Sequence, residues 1–121
     1  MTQKEARKLF SKTYFYNETF NMFYHFTECK EEYKKMMDWI GQEFPENIDG
    51  RCVQASSGEE IRIWIGVFNG EISTLVHECT HASLFTLEAI GQRLTYEDEL
   101  LPYLTSWIFS ECNKKIKGKT K

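Results

Sequence analysis

Ser73-Thr74-Leu75-Val76-His77-Glu78-Cys79-Thr80-His81-Ala82-Ser83-Leu84-Phe85 is the stretch on which the rest of the chain is read. It holds the pattern His-Glu-x-x-His inside a segment with helical character. Positions four apart in an α-helix lie nearly one above the other, so His77 and His81 share a face, about 6 Å apart along the axis. Two ring nitrogens at that spacing can reach one Zn²⁺ at about 2.0–2.1 Å. Glu78 lies about 100° around from His77, close to such an ion but off the ligand line. A carboxylate there is placed to take a proton from a metal-activated water. Two of the chain's three histidines are used in this one motif. The competing reading is a pair of surface histidines on an amphipathic helix.

A chain of 121 residues is expected to form one domain over 1–121, with 113–121 a flexible basic tail. Hydrophobic residues make up 41% and aromatics 15%, enough for a core. The net charge of -3 does not favour nucleic acid, and the five lysines of the tail do not change that. No apolar run approaches the length of about 18 residues that a membrane span needs. The N-terminus, Met-Thr-Gln-Lys-Glu-Ala-Arg-Lys, lacks the apolar core of a signal peptide, which points to a cytoplasmic protein. Cys29, Cys52, Cys79 and Cys112 form no Cys-x-x-Cys pair and are expected to stay reduced. Cys79 faces away from the histidine pair and reads as a small buried hydrophobe.

The coarse pattern is α+β, a small mixed or antiparallel sheet packed on the motif helix, plus a C-terminal helix. Residues 3–11 read as a short helix. The aromatic-rich 13–26, which holds His25, reads as two strands turning at Asn17-Glu18. A helix is expected from an N-cap at Thr27 to Phe44, stopped by Pro45. Residues 51–55 and 60–68 read as strands, the second with strict alternation of Ile61, Ile63, Ile65 and Val67. Asn69-Gly70 turns the chain into the motif helix, which should end near Ile90 with Gly91 just past it. A last helix follows, starting in the acidic run Glu97-Asp98-Glu99 and reaching about Cys112.

Two histidines do not complete a catalytic zinc site, which takes three protein ligands and leaves a fourth position open. Glu88 is on the same stripe but about 10 Å along the axis from His81. The candidates are therefore Glu99, Asp98, Glu97 and His25. Asp98 is suited to capping the last helix, which leaves Glu99 free to face inward and makes it the favoured ligand. Tyr103 and Tyr96 are candidates for binding substrate or stabilising an oxyanion, with packing as the plainer alternative for each.

His77-Glu78-x-x-His81 followed by Asp98-Glu99-Leu-x-x-Tyr-Leu resembles the gluzincin branch of the zincin metallopeptidases. The compact layout is similar to minimal zincins of phage and prophage, and more distantly to ImmA/IrrE-type metallopeptidases. The likeness covers roughly residues 61–112; residues 1–55 carry no motif, and Pro102 departs from the usual pattern. The resemblance implies a zincin-like fold and one Zn²⁺ per chain on His77, His81 and Glu99. It also implies peptide-bond hydrolysis by a zinc-bound water with Glu78 as general base. The partner would be a protein or peptide, bound as an added strand along 61–68. Two other readings compete: a catalytically silent zincin-fold binding protein that antagonises a host factor, and a protein whose zinc is structural.

Overall fold

A computed structural model describes residues 1–57, 60–91 and 99–116. Helix α1 spans Gln3–Thr13 and opens with a capping box. The Thr2 hydroxyl accepts from the Glu5 N–H, and the Glu5 carboxylate accepts from the Thr2 N–H. Strands β1 (Tyr14–Asn17) and β2 (Met22–Thr27) form the expected aromatic hairpin. Helix α2 is Lys30–Ile40, β3 is Gly50–Ser57 and β4 is Glu60–Val67. Helix α3, Ile72–Ala89, carries the His-Glu-x-x-His motif, and α4 is Leu100–Lys114. The expected α+β class is the observed one, with four helices and a four-stranded mixed sheet among the described residues. No helix among them is long and apolar enough to cross a membrane.

Both expected limits of α2 move inward. Thr27 is not its cap, because it still belongs to β2 and pairs with Gly66 of β4. Its hydroxyl instead accepts from the Cys29 N–H at 3.0 Å and donates to Glu32 at 2.7 Å. The helix stops at Gly41, not at Pro45. Gly41 takes a left-handed conformation with φ 75°, and the Gln42 N–H closes back onto the Met37 carbonyl at 2.8 Å. Glycine adopts that conformation without the Cβ clash other residues meet, so the chain leaves the helix there.

The strand order is β1-β2-β4-β3, with β2 and β4 parallel and the other two pairs antiparallel. Strand β4 is therefore interior, with β2 on one side and β3 on the other. An added peptide strand along 61–68 is ruled out, because both hydrogen-bonding edges of that strand are already used.

Helices cover both faces of the sheet. Ile63, Ile65 and Val67 point into a core shared with Leu75, Cys79, Ala82 and Leu87 of α3 and with Leu104, Ile108 and Cys112 of α4. Trp64 points the other way, into a second core with Leu9 of α1 and Tyr33, Met36 and Met37 of α2. That explains why β4 is buried at every position from Ile63 to Val67: a strand covered on both faces gains from burying each side chain there. Tyr33, Met36 and Met37 are fully buried, and truncating either methionine to alanine should cost about 2–5 kcal/mol. The four cysteines are free thiols.

Candidate functional site

Helix α3 is aimed by the strand before it. Four residues, Phe68 to Glu71, link the interior strand to the helix, and Asn69 fixes that link. Its side-chain carbonyl accepts from the Glu71 N–H at 3.0 Å, and its amide donates to the Thr74 hydroxyl at 2.9 Å. Leu75, Cys79, Ala82, Ser83, Thr86 and Leu87 form the inward face of the helix. The buried hydroxyls of Ser83 and Thr86 donate to the Cys79 and Ala82 carbonyls one turn earlier, so they cost little where they are. His77 and His81 are left on the outward face, both exposed.

The two imidazoles meet. His77 Nε2 and His81 Nε2 are 3.1 Å apart, and the His81 ring lies nearly parallel to Phe85 one turn on. Two neutral imidazoles at this distance share one hydrogen, one ring donating and the other accepting. The same two nitrogens suit a shared cation: with bonds of about 2.0–2.1 Å, a 3.1 Å separation subtends roughly 100°, close to tetrahedral. Glu78 completes a group of three whose ligand atoms lie within 4.8 Å of one another. Its side chain is nearly covered, at 6% exposure. Burial pushes its carboxyl above the usual carboxylate range, while the neighbouring His77 and His81 pull it back down.

Beside the group runs an open groove of about 430 Å³, lined by Ile48, Asp49, Gly50, Ser73, Thr74, His77 and Glu78. The approach of Gly50 to Glu78 was not legible in the sequence. It depends on the register that brings the start of β3 against α3, and residues 48–50 carry no pattern beyond that of a loop.

The remaining candidates are placed elsewhere. His25 is fully buried and has both ring nitrogens engaged. Its Nδ1 lies 2.8 Å from the Thr13 hydroxyl, and Arg62 donates to its Nε2 at 2.8 Å. The Thr13 hydroxyl gives its own hydrogen to the Leu9 carbonyl, so His25 Nδ1 carries the proton of a neutral ring. His25 also stacks on Trp64, with ring centres 4.3 Å apart. It has no lone pair left for a metal and drops out as the third ligand.

Glu99 is exposed at the N-cap of α4 and does not belong to the three-residue group. Helix α4 runs antiparallel to α3: Ser83 Oγ lies 2.8 Å from Thr105 Oγ1, and the Cys79 thiol lies against that of Cys112. From the Ser83–Thr105 contact, Glu99 is six residues back along α4, about 9 Å toward the C-terminal end of α3. His81 is two residues, about 3 Å, the other way. Glutamate and histidine side chains do not bridge about 12 Å of axis plus the gap between two helices to share an ion. The expected ligand set of His77, His81 and Glu99 is therefore not assembled in this arrangement. Tyr103 is 54% exposed on the first turn of α4. Tyr96, Glu97 and Asp98 lie outside the described residues.

Zinc fits the site in part. Two imidazole nitrogens and an adjacent carboxylate are donors of the right kind at workable spacing, and no further Cys, Asp, Glu or His joins them among the described residues. No protein-family model matches the chain, and neither a curated protein nor a solved structure does.

Proposed function

We propose that the chain is a zinc-dependent metallopeptidase with its centre at His77, Glu78 and His81. The observation that carries this reading is the convergence of the two Nε2 atoms at 3.1 Å beside a nearly covered carboxylate that lines an open groove. His77 and His81 would hold the ion, and of the third-ligand candidates Glu97 and Asp98 lie outside the described residues. Zinc at such a site supplies Lewis acidity toward a water and a carbonyl. The chain's own part falls to Glu78. Its carboxylate accepts the proton of the attacking water and returns it to the leaving amine, and a carboxyl raised by burial is better matched to both transfers.

An extended peptide would lie in the groove. Strand β3 borders it and is paired only on its β4 side among the described residues, so its other edge offers main-chain groups to a substrate strand. Metal content by plasma mass spectrometry, together with cleavage of a peptide library by wild type and Glu78→Gln, tests the proposal. One zinc per chain, cleavage by the wild type, and a loss of about 10²–10⁴-fold in the variant with zinc retained are expected. Wild-type protein that stays metal-free in excess zinc would overturn it.

A second reading has one observation in its favour. The described group offers only two imidazoles, and at 3.1 Å they can satisfy each other without an ion. A catalytically silent binding protein of zincin-like shape would show that bond and no zinc. A purely structural zinc is disfavoured by the exposure of both histidines.

A further inference from the structure

Gly50 opens β3 at the point where that strand presses on α3. A Cβ added there would lie 2.8 Å from Thr74 Cγ2, 3.0 Å from the Gly66 carbonyl oxygen and 3.1 Å from Glu78 Oε2. The three neighbours differ in how easily they yield. Gly66 belongs to β4, which is held by strands on both sides. The Thr74 rotamer is held by the bond from Asn69 to its hydroxyl. Glu78 Oε2 is the far end of a flexible side chain for which no comparable tether is seen in the described structure. Gly50 has no positive φ, so its backbone does not itself require glycine. What requires glycine is the space in front of it.

We propose that Gly50 is a positioning residue for Glu78: its missing side chain leaves the slot in which the carboxylate rests between β3 and the histidine pair. This rests on the hydrolase reading for its catalytic meaning, but not for its geometry. A methyl group at position 50 must turn the Thr74 methyl aside and move the Glu78 carboxylate by a few tenths of an ångström before it disturbs the sheet. A misplacement of about 1 Å in a group that moves protons can cost on the order of 10²-fold in rate, so this smaller shift is expected to cost several-fold to about tenfold.

The test is Gly50→Ala, examined by the crystal structure of the zinc-free protein, by thermal unfolding and by kinetics. The expected structure shows the Glu78 carboxylate displaced, with the β3–β4 pairing kept and the melting temperature little changed. The expected kinetics show kcat down several-fold to about tenfold with KM within about twofold, since binding in the groove is retained while proton transfer is impaired. A structure in which β3 shifts and Glu78 stays in place would overturn the proposal. So would a collapse of the melting temperature, or an unchanged kcat despite a displaced carboxylate. If the wild type cleaves no peptide, the hydrolase reading fails by itself, and the crystal structures still decide whether Gly50 holds the carboxylate in place.

Discussion

The three histidines divide between the two faces of one sheet and live under opposite conditions. On the face covered by α1 and α2, His25 is fully buried, stacked on Trp64, and bonded through both nitrogens to Thr13 and Arg62. On the α3 side, His77 and His81 are exposed, and their Nε2 atoms face each other. Residue type is the same in both places, and availability is what separates them. A buried imidazole with both nitrogens committed works as a clamp between α1 and β4. A pair with converging, exposed nitrogens beside a groove is left open to a ligand, which the proposed reading makes a zinc ion.

The largest expected effect would come from breaking the pair. His77→Ala and His81→Ala should each drop zinc content from one per chain to background by mass spectrometry, whereas His25→Phe should keep it at one. Zinc lost from the His25 variant at unchanged fold would erase the distinction between the two regions.

The acid response follows next. Burial, and then the Arg62 and Lys115 charges, hold the His25 imidazolium down to about 3 from an ordinary 6.5. The unfolded chain therefore binds this proton first as pH falls. The stability tied to neutral His25 is complete above about pH 6.5 and is lost progressively toward pH 3, by on the order of 5 kcal/mol in all. Urea unfolding at pH 7 and pH 4 should show this loss in wild type and a flatter profile in His25→Phe.

Arg62→Ala is a milder probe of the same clamp. It removes the donor to His25 Nε2, along with the contacts of the guanidinium to Tyr14, Phe23 and Glu60. A loss of about 1–3 kcal/mol in chemical denaturation is expected, with metal content untouched. The smallest effect belongs to Glu99→Ala. With Glu99 exposed at the start of α4, the change should stay within about 0.5 kcal/mol and leave zinc binding as it was. Zinc lost on that substitution would mean that α4 docks differently when an ion is bound.

Much of this was legible because it is local. The alternation from Ile61 to Val67, the Asn69-Gly70 turn, the motif helix and its Gly91 terminus are written within windows of a few residues. Gly41 was a local signal too, and the end of α2 was placed instead at Pro45, the louder one. The interior position of β4 was not local. It follows from β2 pairing parallel to a strand some forty residues later, and alternation within β4 looks the same at an edge or in the middle. The reach of Glu99 was not legible for a similar reason: it depends on where α4 docks along α3, which a helix count cannot supply. His25 could be read from sequence as more structural than catalytic, but its partner Arg62 could not, since the two meet only across the parallel strand pair.

The interior place of β4 has a consequence for the lifetime of the histidine pair. A strand bonded on both sides and covered on both faces gives up its amide hydrogens only when the whole domain opens. The pair hangs from that strand by a four-residue link which Asn69 stitches to the first turn of α3. Deuterium uptake should therefore be slowest in β4 and the inward face of α3, and faster in β1, which among the described residues is bonded on one side only. Fraying of the outer strand would leave the spacing of the two imidazoles unchanged, so the pair should persist until the domain unfolds as a unit.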